Sequence, residues 1–352
     1  MSRSPAGSTL DSAPPDARGG ARDRAPDGSA RLLLLGSLWL AWRQARLLVT
    51  VGVAGLLAAV AVAAYSRAGM LDELRSGIYD HCDPGPLHCS KPGDGTPMLL
   101  DIAPLQYLGL LNIALPVLIG VFWGAPLLGR DLELGTHRTV LSQGISRAQW
   151  FTARFGLAAV STIVVSGLLA TLFAWWREPA ADHSYGLFWY ETTALSGSGP
   201  RVVAGALFGL AAGTLIGLLA RRVLPAMGLT LALTGATVVL LELAHKLRTF
   251  VTPRSYLSAG DTPKPPMGEK WSAGTYGLIT ADGRRDDVMN CPYPSGAELR
   301  ECMGKNGYVS RFYEANPPGD YWSFQWIDTG ILGGAALLLT AATLLVLRRR
   351  AA

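Results

Sequence analysis

The chain has 352 residues, of which 49% are hydrophobic and only 16% carry a charge. Soluble domains carry about 25% charged residues, so this composition argues against a water-soluble globular protein. The net charge of +5 does not indicate nucleic-acid binding, because no basic cluster alternates with aromatic residues and no zinc-finger or recognition-helix pattern occurs. We therefore expect no nucleic acid among the partners.

Two short segments precede the first long apolar run. Residues 1–30 are mostly Ser, Pro, Ala, Gly, Asp and Arg, too poor in apolar surface to fold, and predict a disordered cytoplasmic tail. They are not a signal peptide, because the first apolar block begins only at Leu32. That block, Leu32–Trp42, is too short to cross a bilayer before Arg43. It predicts an N-terminal interfacial elbow helix or, equally, an extension of the first span into the headgroups.

Six long uncharged runs follow, and each reaches or approaches the ~20 residues that a helix needs to cross the hydrocarbon of a bilayer. The runs are Leu47–Ser66, Ile102–Gly129, Phe155–Trp176, Val202–Ala220, Val223–Leu241 and Thr329–Leu347. No segment alternates like a barrel strand, so backbone groups in the bilayer must be satisfied within helices. The sequence therefore predicts an all-α integral membrane protein, with residues 31–352 forming one domain of six transmembrane helices.

Lys and Arg residues are distributed unevenly between the connecting segments. If the N-terminus is cytoplasmic, the inside segments hold 16 of the 31 Lys and Arg residues, and the first two outside loops hold 5. The remaining 10 lie in His245–Trp326, which is too long for the positive-inside rule to apply. We therefore predict that both termini are cytoplasmic.

Two spans carry features that predict close helix packing. In the second span, Pro116 predicts a kink, and Asn112 predicts either interhelical hydrogen bonding or part of a polar path. In the fourth span, glycines recur every four residues and predict a groove where another backbone approaches closely. These glycines are Gly205, Gly209, Gly213 and Gly217. The groove fits packing within the chain or an interface between subunits, and the sequence does not separate the two.

The segment 245–326 is long, rich in proline and rich in aromatic residues. Structureless loops of this length are uncommon, so we predict a small folded extracellular cap that gates an exit or shields the spans. The four cysteines support the topology, because all of them fall in predicted outside loops: Cys82, Cys89, Cys291 and Cys302. Two local disulfides are the simplest pairing, although cross-loop pairing stays open. A zinc site at His81-Cys82 and His88-Cys89 is less favoured, because its spacing is unusual.

Sequence motifs of several common enzyme and nucleotide-binding classes are absent from this chain. No nucleotide-binding, zinc-protease or serine-hydrolase motif occurs, and we expect no enzyme activity, no cofactor and no metal. The spans hold ionisable residues only at their ends, where Glu242 closes the fifth. Carriers driven by protons or sodium usually need a buried ionisable relay, so this pattern argues against a secondary transporter.

The stretch between the second and third spans supplies a resemblance. The letters RDLELGT at 130–136 follow the second span, and Ser146-Arg147 precedes the third. With six spans and both termini inside, this arrangement resembles the permease subunits of type-2 ABC transporters, in which Glu-x-Gly-Thr follows the second span. The Trp42-Arg43-Gln44 elbow and the excess of Arg over Lys are similar to permeases of actinobacteria.

The resemblance implies that 130–141 is the coupling helix that contacts a separate ATP-binding subunit. The residues that would make this contact are Arg130, Asp131, Glu133, Gly135, Thr136 and Arg138. Charges of both signs on a short helix can fix the position of that helix against a partner. The alternative is a solvated loop whose charges only mark the inside.

The resemblance also implies a function and a location. The chain would be the membrane-spanning subunit of an ATP-driven exporter in the bacterial plasma membrane. Its partners would be two ATP-binding subunits, a second permease subunit, identical or not, and membrane lipids, with ATP hydrolysis in the partner. One alternative is a membrane-anchored sensory or regulatory protein with a disulfide-bonded outer surface, and another is an integral-membrane enzyme of unrecognised chemistry.

Overall fold

The computed structural model contains six helices that are long and apolar enough to cross a membrane. The residues that it describes are 50, 52–72, 75, 103–135, 146–181, 188–246, 251–258, 276–287, 290–291 and 297–349. The six spans are Gly52–Asp72, Ala103–Glu133, Arg147–Arg177, Pro200–Ala220, Val223–Lys246 and Pro318–Arg349. Six transmembrane helices were predicted, and the structure confirms them. The predicted tail at 1–30, the elbow helix, Cys82 and Cys89 lie outside the described residues.

Two apolar clusters show how the spans are arranged. One joins the ends of the first and third spans to the starts of the second and fourth, through residues such as Met70, Phe173, Leu105 and Val202. The other joins the ends of the second, fourth and sixth spans to the start of the third. Successive spans therefore run in opposite directions. We call the end of the bundle that the fifth span reaches at Lys246 the sheet end, because a β-sheet follows that span in the chain. The opposite end, where the sixth span ends at Arg349, is called the terminal end.

The fourth span lies at the centre of the bundle. Of its most apolar stretch 72% is buried, compared with 17% in the fifth span and 11% in the first. Its glycines allow this burial, because a Cβ at Gly209 would clash with the Pro116 carbonyl oxygen. At Gly213 and Gly217 a Cβ would clash with carbonyl oxygens of Gly120 and Ala125, also in the second span. The glycine face is thus occupied by the backbone of a neighbouring span in the same chain.

The second span changes its winding where it meets this face. It is α-helical over Ala103–Ile119, turns into a five-residue π-helix over Gly120–Gly124, and is α-helical again over Ala125–Glu133. Pro116 has no N–H to donate to the α-helical hydrogen-bond pattern, so the helix is already interrupted one turn before the π-helix begins. Gly120 and Gly124 lie inside the π-helix and face carbonyl oxygens of Gly209 and Leu210.

A leucine at Gly209 is expected to separate the second and fourth spans. Overpacking a close backbone contact costs about 1–3 kcal/mol or more, so Gly209→Leu should lower membrane abundance and the melting temperature in detergent. Gly330→Leu is the matched control, because a Cβ there meets no atom within 4 Å. Equal melting temperatures for the two variants would show that the contact with Pro116 contributes nothing to stability.

The segment between the fifth and sixth spans contains an antiparallel sheet, which corrects the all-α prediction. Its strands are β1 (Arg254–Ser258), β2 (Tyr276–Thr280), β3 (Arg285–Asp287) and β4 (Tyr308–Ala315), in the order β1-β4-β2-β3. Helix Ala297–Lys305 also belongs to this segment. Strands of three to eight residues between prolines and polar residues leave little periodicity to read, so the sequence pattern did not reveal them.

A disulfide stabilises this small folded region. Cys291 and Cys302 are bonded, with 5.8 Å between their Cα atoms, which confirms the local pairing predicted for these two cysteines. Cys291 is buried together with Leu278 and Leu299. The bridge therefore ties helix Ala297–Lys305 to the sheet beside a small apolar core.

Candidate functional site

The predicted coupling residues begin at the terminal end of the second span. The helix ends at Glu133, and Gly135 follows with a φ of 70°, a left-handed conformation common just after helix ends. Arg130 is exposed on the last turn of this helix. Thr136 and Arg138 lie outside the described residues. On the far side of the gap, Ser146 forms a capping box that starts the third span.

Glu133 contacts the fifth span. Its Oε2 accepts a hydrogen bond of 2.9 Å from the backbone N–H of Val223, the first residue of that helix. The first N–H groups of a helix have no partner within it, and a carboxylate there also interacts favourably with the helix dipole. The end of the second span therefore caps the start of the fifth.

Asp131 contacts the third span. Its carboxylate forms an ion pair with Arg154, and both side chains are less than one-third exposed. The Arg154 guanidinium also lies 5.4 Å from the ring centre of Trp150. The last turn of the second span, where the predicted coupling segment begins, is thus attached to both the third and the fifth span.

Sequence reasoning missed a buried ionic cluster at the sheet end. Arg201 of the fourth span contacts Glu242 of the fifth, with Nη2 2.8 Å from Oε1. It also contacts Asp328 of the sixth span, with Nε 3.1 Å from Oδ2. His245, one turn after Glu242, places Nε2 3.0 Å from Asp328 Oδ1. The Asp328 side chain is only 1% exposed and that of Arg201 only 7%.

A short buried helix, Thr192–Ser196, supports this cluster. Ser196 Oγ donates to Glu242 Oε1 at 2.5 Å and accepts a bond from Arg201. In the turn that follows, the Gly197 carbonyl accepts a 2.7 Å bond from Asn112 Nδ2. Gln325 of the sixth span donates to the Leu195 carbonyl at 2.7 Å. Irregular backbone is tolerated at membrane depth only where protein or a cavity surrounds it, and these side chains supply the required bonds.

A small cavity lies beside the ionic cluster. Its volume is about 30 Å³, which is room for about two water molecules. Its polar lining consists of Asn112, Ser196, Arg201, Thr234 and Thr237, and its apolar walls include Phe208, Leu241 and Leu332. Asn112 makes the predicted interhelical hydrogen bond, to the Leu169 carbonyl of the third span at 3.4 Å, and it also lines this cavity, while the polar path stays a prediction.

Exposed aromatic residues indicate where the membrane surface meets the sheet end. They belong to the first, second, third and sixth spans and are Tyr65, Tyr107, Trp175, Trp322 and Trp326. Trp and Tyr concentrate at bilayer interfaces, so these residues fit an interfacial belt. Asp328 follows Trp326 by two residues, which is ~3 Å along a helix axis. The ionic cluster therefore lies near one interface and not at the bilayer centre.

Comparison with known proteins identifies a family of membrane proteins. A family model described as "ABC-2 membrane transporter related" matches residues 53–246, which is more than half of the chain and includes nearly all of the first five spans. No curated protein matches the chain, and no solved structure matches it.

Proposed function

The chain belongs to the ABC-2 membrane transporter related family, and we propose that it is the membrane-spanning subunit of an ATP-driven exporter. Membership and the six apolar helices make it a multi-pass plasma membrane protein and a transporter membrane subunit. The family implies association with ATP-binding subunits, where ATP would be hydrolysed. No observation favours the sensory or regulatory alternative.

We propose that the terminal end is cytoplasmic and that 130–141 contacts the ATP-binding subunit. The observation that carries this proposal is the pair of contacts made by Asp131 and Glu133. Asp131 is paired with Arg154 of the third span, and Glu133 is bonded to the first residue of the fifth. A displacement of this segment by a partner would therefore pull on the second, third and fifth spans together.

The second span fits the transmission of such a displacement. Its last turn carries Arg130, Asp131 and Glu133, and its π-helix at Gly120–Gly124 lies against the fourth span. π-Helical turns often occur at functional sites in helices. We propose that closure of two ATP-binding subunits moves this end of the bundle, and that the spans pass between inward- and outward-facing states. A second permease subunit, identical or not, and surrounding lipids complete the proposed assembly.

The experiment that tests the function is co-purification. The tagged chain is expressed with a candidate ATP-binding subunit, preferably one encoded beside it, and we expect a stable complex that hydrolyses ATP. A chain that retains no ATP-binding subunit would contradict the proposal and favour a sensory role.

The proposed orientation has its own expected result. After reduction, Cys291 and Cys302 should react with a membrane-impermeant thiol reagent in intact cells, because the sheet end faces outward in this proposal. An Arg222→Cys variant is the control, since Arg222 is exposed at the terminal end and should react only after permeabilisation. The reverse pattern of labelling would invert the topology.

A further inference from the structure

We propose that Arg201, Ser196, Glu242, His245 and Asp328 form an outer clasp, a gate that holds the sheet end closed over the adjacent cavity. The inference rests on the proposed exporter function, and it adds the place at which the release path is closed. The clasp joins the fourth, fifth and sixth spans to the short helix Thr192–Ser196. Nothing in the coupling segment is part of it.

The first argument is the way the fifth span is held. Only four residues of its helix are buried, and they are Ala226, Thr230, Thr234 and Leu241. The two threonine hydroxyls bond to carbonyls of their own helix, so these residues contact neighbouring spans through packing and not through hydrogen bonds of their hydroxyls. Near the sheet end the fifth span is held by Leu241, by the contact of the His245 ring with Phe324, and by the polar contacts of Glu242 and His245.

The second argument is the chemistry of these attachments. Ion pairs can exchange their partners for water when they separate, whereas an apolar contact that separates exposes its surface. A buried ion pair also contributes less to stability than apolar packing of the same volume. Polar contacts between the moving end of one helix and its neighbours therefore suit a joint that opens and closes.

The third argument is position. Arg201 and Ser196 are shared between the clasp and the lining of the cavity, so the clasp forms one wall of that space. The belt of exposed aromatic residues places this wall near an interface. Separation of Glu242 and His245 from their partners would connect the cavity to water at the sheet end.

The test measures access to the cavity directly. Val202, which is buried and lines the cavity, is replaced by cysteine in a chain with Cys82→Ser and Cys89→Ser. The purified protein in lipid nanodiscs is treated with a charged methanethiosulfonate reagent, and the rate of reaction is measured. We expect Glu242→Gln to raise this rate about 10- to 100-fold, which is the effect of losing a hydrogen bond to a charged group.

Two further variants keep the test informative. Ser196→Ala removes a bond to Glu242 without leaving a buried charge, and it should raise the rate in the same direction if Glu242→Gln does not fold. Glu314→Gln is the matched control, because Glu314 is paired with Arg285 on the sheet. A Leu218→Cys reporter, buried at the terminal end, should stay unreactive in every variant, which excludes general unfolding.

The outcomes separate the clasp from the exporter proposal. The nanodisc measurement needs neither ATP nor a partner, and both membrane faces are accessible, so it does not depend on the transport function or on the topology. Unchanged reactivity of the Val202 cysteine in both Glu242→Gln and Ser196→Ala would overturn the clasp and leave the exporter proposal intact. If the clasp residues are unchanged and the Val202 cysteine reacts faster once an ATP-bound ATP-binding subunit is added, this would further support a gate.

Discussion

Replacement of Arg201 by methionine is expected to be the most destabilising single change in the bundle. Its guanidinium contacts Glu242, Asp328 and Ser196, and the Asp328 side chain is almost fully buried. Without it, Glu242 and Asp328 lose the cation that they share, and His245 remains beside Asp328. Breaking a buried ion pair by removal of one partner costs about 3–5 kcal/mol, so Arg201→Met should accumulate poorly and melt at a much lower temperature.

A compensated variant identifies the cause of that loss. Arg201→Met combined with Glu242→Gln and Asp328→Asn removes the uncompensated charges and should recover part of the stability. Arg254→Met is the surface control, because Arg254 is mostly exposed and 3.7 Å from Asp320, a pair worth at most about 1 kcal/mol. If the triple variant is no more stable than Arg201→Met, packing of the long side chain and not its charge accounts for the effect.

The six spans could be predicted because an uncharged run near 20 residues has few alternatives in a chain with 16% charged residues. The same rule prevented the prediction of the buried ionic cluster. Charged residues were read as the limits of the spans, so Arg201, Glu242 and Asp328 were placed at the edge of the bundle. The fifth and sixth helices in fact continue past Glu242 and Asp328, the fourth begins directly before Arg201, and the opposite charges of these three neighbouring spans compensate one another.

The contacts of the coupling segment show a second limit. Its location between two spans could be predicted, and so could the presence of charges of both signs. The bond from Val223 to Glu133 joins residues that are far apart in the chain, and no local pattern predicts it. The sheet was missed for a different reason, since three of its four strands have at most five residues and burial along the eight-residue β4 does not alternate.

The glycine groove was more informative, because a spacing of four residues predicts a close helix contact on one face. The sequence left open which element fills the groove. In the structure the second span fills it, and the π-helix of that span lies at the contact. A close approach within the chain therefore accounts for these glycines.

Reversal of the charge at Arg130 should release the ATP-binding subunit without unfolding the bundle. Arg130 is exposed on the last turn of the second span, where a cation interacts favourably with the helix dipole. Its loss there costs at most about 1 kcal/mol. In a docked interface, however, a new carboxylate opposes the partner's acidic groups and leaves the contacts of the guanidinium unmade, at a cost of several kcal/mol. We expect Arg130→Glu to reach normal abundance, to lose the partner on co-purification and to lose partner-dependent ATP hydrolysis.

Arg130 is a sharper probe than Glu133 because Glu133 has a role within the chain. Glu133→Arg would place a cation beside the first N–H groups of the fifth span, where the dipole disfavours it, so a lost partner could then reflect a displaced span. Arg348→Glu supplies the matched control, since Arg348 is exposed at the same end and undergoes the same change of charge. If Arg130→Glu retains the partner as well as Arg348→Glu does, the 130–141 segment is not the docking site. If both lose it, the interface is set by the positive charge of the whole terminal end, and Arg130 has no special part in it.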